Sequence, residues 1–111
     1  MSEYTPDKWV VVKITSDNQT PIHKVFACWY GGWVGSDSWK LNSGIIKATL
    51  EKKFYFFEGS SGSVYKCHEE SYGTNMYGSS VLDRMIANAS TNGINIEILP
   101  QDTNWLDITY K

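Results

Sequence analysis

The stretch from Lys24 to Gly44, KVFACWYGGWVGSDSWKLNSG, constrains the fold more than any other part of the sequence. It opens with an apolar run that leaves no polar face, which is typical of a strand buried on both sides. Gly31 and Gly32 end this run, because glycine adopts positive φ at little cost and favours turns and bulges. A polar bend then leads into a second short apolar run. The stretch predicts a sheet of short strands, with the first of them near its centre.

The strand candidates share short apolar or alternating runs bounded by residues that favour turns. They are Lys8–Thr15, Ile22–Tyr30, Gly44–Glu51, Phe54–Glu58, Ser63–Cys67 and Ile94–Leu99, with shorter candidates at Ser38–Leu41 and Trp105–Tyr110. The short turns between the middle candidates predict an antiparallel meander.

One segment has helical periodicity. Apolar residues recur at helical spacing between Ser80 and Asn92, where Ser79 or Ser80 supplies an N-cap and Gly93 follows the end. Strands followed by a helix and a further strand indicate an α+β fold. We therefore predict a single domain over residues 1–111, with a mainly antiparallel sheet of about five to seven strands and one amphipathic helix packed on a face.

Charge and composition exclude several classes of protein. The net charge is −2 and Arg84 is the only arginine, which argues against a nucleic-acid partner, since such proteins neutralise phosphates with Lys and Arg. No apolar run approaches the roughly 18–20 residues that span a bilayer, so no membrane contact is expected. Two cysteines without a signal sequence do not suit a secreted disulfide scaffold. These features predict a soluble cytoplasmic protein.

The run His68-Glu69-Glu70 is the one place in the sequence where a titratable base lies among carboxylates, as a general base requires. A zinc site needs three or four ligands at characteristic spacings, and the side chains of Cys67 and His68 would leave opposite faces of a strand. Cys28 and Cys67 fit inert buried thiols in aromatic strands, and the histidines fit surface residues. The sequence therefore predicts no metal site and no cofactor.

Two turns rich in glycine and serine, Gly35–Ser38 and Gly59–Gly62, have two interpretations. Their backbone N–H groups can face a phosphate. Hairpin turns use the same residues, and neither turn has the following helix and lysine of a P-loop. The hairpin interpretation is therefore preferred.

Aromatic residues make up 14% of the chain, and their sequence contexts divide them into two sets. Those within strand patterns are expected in the core: Trp9, Phe26, Trp29, Phe54 and Phe56. Those beside glycines in loops are candidates for a binding surface, because Tyr and Trp dominate binding hot spots. The predicted surface contains Trp33, Asp37, Trp39, Asn42 and Tyr72, with Tyr30 and Tyr77 as second choices. The alternative is that these loop side chains fold back onto the core.

Two segments, KVFACWYGGWVGSDSWKLNSGI and FEGSSGSVYKCHEESYG, resemble a group of small uncharacterised proteins of tailed bacteriophages. The shared features are the aromatic-Gly-Gly sequence, DSWKLNSGI and GSSGSVYKCH, all within residues 24–73. The resemblance implies an accessory protein that binds or inhibits a host factor in the host cell cytoplasm. It implies no catalytic residues.

These observations predict a small non-enzymatic binding protein whose partner is a host protein or a small molecule. The alternative is a small hydrolase or nucleotide-processing enzyme in which His68 acts with Glu69 or Glu70. Such an enzyme requires a cleft that holds His68 with a carboxylate within hydrogen-bond reach. A homodimer formed through an exposed edge strand is a third, structural option.

Overall fold

The computed structural model describes residues 2–32 and 35–110, which form eight β-strands in two sheets and one α-helix. The strands are β1 (Glu3–Tyr4), β2 (Lys8–Ser16), β3 (Ile22–Trp29), β4 (Ser38–Leu41), β5 (Ile45–Glu51), β6 (Phe54–Gly59), β7 (Val64–His68) and β8 (Ile94–Ile98), and the helix is α1 (Met76–Thr91). The predicted α+β class with mainly antiparallel pairing is confirmed, and the helix packs on a sheet face.

Sheet A has the strand order β1-β7-β6-β5, and sheet B has the order β4-β3-β2-β8. The strands pair antiparallel except for β1, which runs parallel to β7. β3 lies between β2 and β4, so the strand that opens the Lys24–Gly44 stretch is central, as predicted. The strands occupy two sheets where the sequence indicated one, because the chain turns between β4 and β5. Gly44 has a φ of +136° in this turn, a conformation that favours glycine.

Sheet B is the middle of three layers, with sheet A on one face and α1 on the other. The core between the sheets contains Trp9, Val11, Val25 and Ala27 from sheet B, and Ile45, Phe57, Tyr65 and Cys67 from sheet A. The core under the helix contains Val10, Val12, Phe26, Cys28 and Leu82. Burial on both faces explains why β2 and β3 have continuous apolar runs instead of a strict apolar–polar alternation.

The helix begins earlier than the sequence predicted. Asn75 is the N-cap, and its Oδ1 accepts a hydrogen bond from the backbone N–H of Gly78 at 2.7 Å. The predicted cap at Ser79 or Ser80 is therefore wrong, because the first turn contains a glycine that the sequence pattern assigned to the preceding loop. The predicted end at Asn92 is confirmed. Among the described residues, no helix has the length and apolar character that crossing a bilayer requires.

The C-terminal segment after β8 is held by a buried ring. Trp105 is 2% exposed, and its ring centroid lies 5.8 Å from that of Trp9 and 5.5 Å from that of Tyr72. The strand predicted over Trp105–Tyr110 is wrong, because the segment turns there. Asn104 and Asp107 form two hydrogen bonds with each other across this turn, one between side chains and one between backbone groups. Leu99, Ile108 and Tyr110 also pack against this core, so together with Trp105 they anchor the segment.

His23 is buried, so the expectation that both histidines lie on the surface is wrong for this residue. Its ring meets that of Tyr110 edge-on, with centroids 5.4 Å apart, and Lys13 is its partner across the β2–β3 pair. Burial first, and the charge of Lys13 second, lower the pKa of His23 below its ordinary value of 6.5. The fold therefore favours the neutral imidazole.

Acidification should destabilise the protein through His23. Between the ordinary pKa of 6.5 and the lower folded-state pKa, the unfolded chain binds more protons, so the free energy of unfolding falls as the pH falls. One proton limits this slope to about 1.4 kcal/mol per pH unit. Urea unfolding between about pH 7.5 and pH 5.5 measures the slope. His23→Gln should flatten the profile, whereas parallel profiles for wild type and His23→Gln would contradict this role.

Candidate functional site

Several of the residues predicted to form a binding surface are exposed. Tyr30, Trp39 and Tyr77 have exposed fractions of 55%, 37% and 44%. Met76 is 89% exposed, although sequence reasoning did not select it because it has no aromatic ring. Trp33, also predicted, lies outside the described residues. We call the side chains of Tyr30, Trp39, Met76 and Tyr77 the apolar patch.

The residues of the apolar patch belong to elements that meet where α1 begins beside the end of β3. Tyr30 directly follows β3, and Trp39 on β4 is the register partner of Cys28 on β3. The Trp39 ring stacks on that of Phe26, with centroids 5.5 Å apart and planes 16° apart. Phe26 and Cys28 also lie directly beneath Gly78 in the first turn of the helix. Phe26 therefore supports both Trp39 and the start of the helix, and Cys28 lies beneath the helix start beside it.

Hydrogen bonds fix the backbone around the patch. Asn75 Nδ2 donates to the carbonyl of the last residue of β3 at 3.3 Å, which ties the helix start to the sheet. Asp7 Oδ2 accepts a hydrogen bond from the Tyr30 N–H at 2.9 Å. Asp37 Oδ1 accepts one from the Gly31 N–H, also at 2.9 Å. Asp37, a predicted site residue, therefore holds the turn beside the patch.

Asn42 and Tyr72, both predicted surface residues, use their polar groups inside the molecule. Asn42 is 3% exposed, and its Oδ1 accepts a hydrogen bond from the Val25 N–H at 2.8 Å. The Tyr72 hydroxyl accepts a hydrogen bond from the Val11 N–H at 3.1 Å and donates one to the Leu99 carbonyl. Burial raises the pKa of Tyr72 to about 12, so this hydroxyl stays protonated. Neither side chain belongs to the apolar patch.

His68 lies at the end of β7 on the outer face of sheet A, which points away from sheet B. Its Nδ1 accepts a hydrogen bond from the Glu70 N–H at 3.1 Å, and its ring meets that of Phe54 edge-on, with centroids 5.0 Å apart. Cys67 faces the core, so the predicted division of these neighbours between two faces is confirmed. Among the described residues, no carboxylate oxygen lies within 4.0 Å of a His68 ring nitrogen. The contact that the enzyme alternative requires is therefore not formed in that part of the chain.

The outer face of sheet A carries two shallow hollows side by side. They have volumes of about 520 and 580 Å³, and Glu51 and Phe56 line both. The expectation that Phe54 and Phe56 belong to the core is wrong. Phe57 faces sheet B, and successive side chains of a strand point to opposite faces, so the rings of Phe54 and Phe56 lie on the outer face of sheet A and are half-buried. Lys66 Nζ lies over the Phe54 ring, 4.6 Å from its centroid. This face is a second surface with an apolar floor and a charged rim.

β5 is a free edge strand of sheet A. A register shift between Ile45 and Lys47 interrupts its pairing with β6, while Ile46 and Leu50 are 44% and 42% exposed. Bulges and lysines discourage edge-to-edge association, whereas exposed apolar side chains favour it. The homodimer formed through an edge strand therefore stays a prediction.

Cys28 and Cys67 are free and buried, which confirms the interpretation of both as buried thiols. Burial raises the pKa of each thiol above its ordinary value. Protonated thiols are poor nucleophiles and poor metal ligands. Within residues 2–32 and 35–110, no three His, Cys, Asp or Glu side chains come together in a group that could hold a metal ion.

No known family model, curated protein or solved structure matches this chain. Function is therefore inferred from its surfaces. The apolar patch holds four side chains that are 37–89% exposed, whereas the rings on the outer face of sheet A, Phe54 and Phe56, are half-buried.

Proposed function

We propose that this protein is a small non-enzymatic binding protein that docks on a partner protein through the apolar patch. The observation that carries the proposal is the exposure of four large side chains, 37–89%, where hydrogen bonds hold the backbone in place. Trp, Tyr and Met are enriched in protein interfaces, and Trp and Tyr dominate their hot spots. Single exposed apolar residues are ordinary, but several together favour an interaction site.

A partner protein fits the patch better than a small molecule does. Small-molecule sites are concave and enclose most of the ligand, whereas no patch residue lines either hollow on the outer face of sheet A. Asp7 and Asp37 lie beside the Tyr30 end of the patch, each with one carboxylate oxygen bonded to the backbone. The partner surface that fits has an apolar centre and basic residues opposite these aspartates.

The patch is also organised before it binds. Trp39 stacks on the fully buried Phe26, and Asn75 ties the helix that carries Met76 and Tyr77 to the end of β3. Side chains and loops that are ordered in the free protein lose less entropy on association. Such anchors favour affinity for a flat partner surface without a deep pocket.

Capture of a partner from a bacterial lysate tests the proposal, since the sequence resembles bacteriophage accessory proteins. The decisive variant is Met76→Asp/Tyr77→Asp. The first turn of α1 has no acidic residue, and the helix dipole favours negative charge there, so the fold should persist while the apolar contact is lost. The partner protein, identified by mass spectrometry, should be captured at least about tenfold less by this variant than by wild type.

The matched control places two aspartates at exposed apolar positions outside the patch, as Ile98→Asp/Leu106→Asp. These residues are 43% and 47% exposed, and β8 is the edge of sheet B opposite β4. The control should capture the same protein at the wild-type yield. Thermal unfolding of wild type and both variants checks that all three proteins are folded. Equal capture by every variant, or loss by the control alone, would contradict docking through the patch.

A further inference from the structure

A third hollow, of about 270 Å³, lies between β4, the turn that joins β6 to β7, and β7 itself. Its polar lining includes Lys40, Asn42, Ser43, Ser61, Ser63 and Tyr65. None of these residues belongs to the apolar patch, so the inference does not depend on the docking proposal. We propose that this hollow is a binding site for the oxyanion of a small phosphate compound.

Asn42 carries the argument, because its amide is buried with one end unused. Its Oδ1 accepts the hydrogen bond from the Val25 N–H at 2.8 Å, and a backbone N–H can only donate, so this bond identifies the oxygen end. The other end, Nδ2, is a donor that meets no acceptor among the described protein atoms. A buried donor without a partner is unfavourable. Asn42 lines the hollow, so an anion bound there is the acceptor that we assign to this donor.

The turn from Gly59 to Gly62 places serine hydroxyls beside this amide. Ser43 Oγ accepts a hydrogen bond from the Ser61 N–H at 2.9 Å and donates to Ser61 Oγ at 3.2 Å. The hydroxyl hydrogen of Ser61 is therefore free to donate to a ligand. A Cβ at Gly59 would lie 2.9 Å from Ser43 Oγ and 3.2 Å from Asn42 Nδ2, so glycine keeps the space that the amide and the hydroxyl occupy.

The charge of the hollow selects an anion. Lys40 is charged, and the described lining contains no carboxylate. Its Nζ lies 5.1 Å from the centroid of the Tyr4 ring, which holds the ammonium group beside the hollow. Burial raises the pKa of Tyr65 to about 12, so its hydroxyl remains a neutral donor. Several donors with one cation fit the oxygens of a phosphate group.

The hairpin interpretation of Gly59–Gly62 and an anion site are compatible. The turn is closed by hydrogen bonds from Gly62 N–H to the Gly59 carbonyl at 3.0 Å and from Gly59 N–H to the Ser63 carbonyl at 2.8 Å. A turn fixed in this way sets the positions of its serine hydroxyls without a ligand. The donors are therefore organised in advance, which lowers the entropy lost on binding.

Inorganic phosphate is the probe for this site. Phosphate titrated into ¹⁵N-labelled protein at constant ionic strength, with chloride as reference, should shift the NMR signals of the Asn42 side-chain NH₂ until they saturate. Lys40→Met removes the cation and should weaken the affinity by about tenfold or more. Because Lys40 is exposed, the variant should remain folded. Ser61→Ala removes one donor and should weaken binding by a smaller factor.

Lys66→Met is the matched control, since it makes the same change of charge on the outer face of sheet A. It should bind phosphate as wild type does. The assignment would be overturned if chloride reproduces the shifts or if the shifts do not saturate. It would also be overturned if Lys40→Met and Lys66→Met lose phosphate affinity equally. Tighter binding of glycerol phosphate than of inorganic phosphate would support an ester as the ligand, and equal binding would support the free ion.

Discussion

Replacing Trp105 with alanine should lower the free energy of unfolding by about 3–5 kcal/mol. The ring is 2% exposed and packs against the rings of Trp9, Phe57 and Tyr72. Its removal leaves a cavity among large side chains that two sheets hold in place, so little of the space can be refilled. Domains of this size are stable by roughly 5–15 kcal/mol, so the change removes a large part of the stability. Urea unfolding followed by circular dichroism measures it.

Leu106→Ala is the matched control for this substitution. Leu106 is the next residue along the same segment and is 47% exposed, so its truncation should change the free energy of unfolding by no more than about 0.5 kcal/mol. Trp105→Phe should rank between wild type and Trp105→Ala, and it keeps the comparison informative if the alanine variant does not fold. Similar losses at Trp105 and Leu106 would mean that the ring does not anchor the C-terminal segment.

Seven of the eight strands and the helix could be predicted from the sequence because their signals are local, whereas the two-residue strand β1 (Glu3–Tyr4) could not. The continuous apolar run of β3 predicted a central strand, and the Asn92-Gly93 pair predicted the end of the helix. The division of the strands between two stacked sheets could not be predicted in the same way. The chain passes from sheet B to sheet A at Gly44, and in the sequence this glycine looks like the glycine of an ordinary turn. The segment that begins at Trp105 has the same apolar pattern whether it forms a strand or places its first ring in the core.

The candidate site could be predicted only in part, because exposure depends on contacts between distant residues. Tyr30, which precedes Gly31, and Trp39 on β4 were both named for the predicted surface, and both side chains are exposed. Tyr72 has the same local signal, yet its hydroxyl bonds to backbone groups 61 and 27 residues away. Asn42 likewise bonds to a backbone N–H 17 residues away. Met76 was missed, although its position directly after the asparagine that caps the helix was a usable signal.

Replacing Gly78 with alanine should destabilise the protein, although the same change inside a helix usually stabilises it by about 1 kcal/mol. A Cβ at this position would overlap the Sγ of Cys28 and lie 2.9 Å from Asn75 Oδ1. Cys28 is fully buried on β3 and cannot move aside without disturbing the core. The helix start must therefore shift, and the expected loss is about 1–3 kcal/mol in the free energy of unfolding. Ser79→Ala, at the exposed next position, should change it by less than about 0.5 kcal/mol.

Removing the sulfur of Cys28 should relieve this overlap. In the Cys28→Ala background, Gly78→Ala should cost at least about 1 kcal/mol less than in wild type, which a double-mutant cycle measures as a coupling energy. A second readout is the rate at which a thiol reagent labels Cys28, which should rise in Gly78→Ala because the helix start covers this thiol less closely. A coupling energy near zero with unchanged labelling would mean that the helix start is not seated on β3. The backbone support inferred for Met76 and Tyr77 would then be absent, and the pre-organisation of the apolar patch with it.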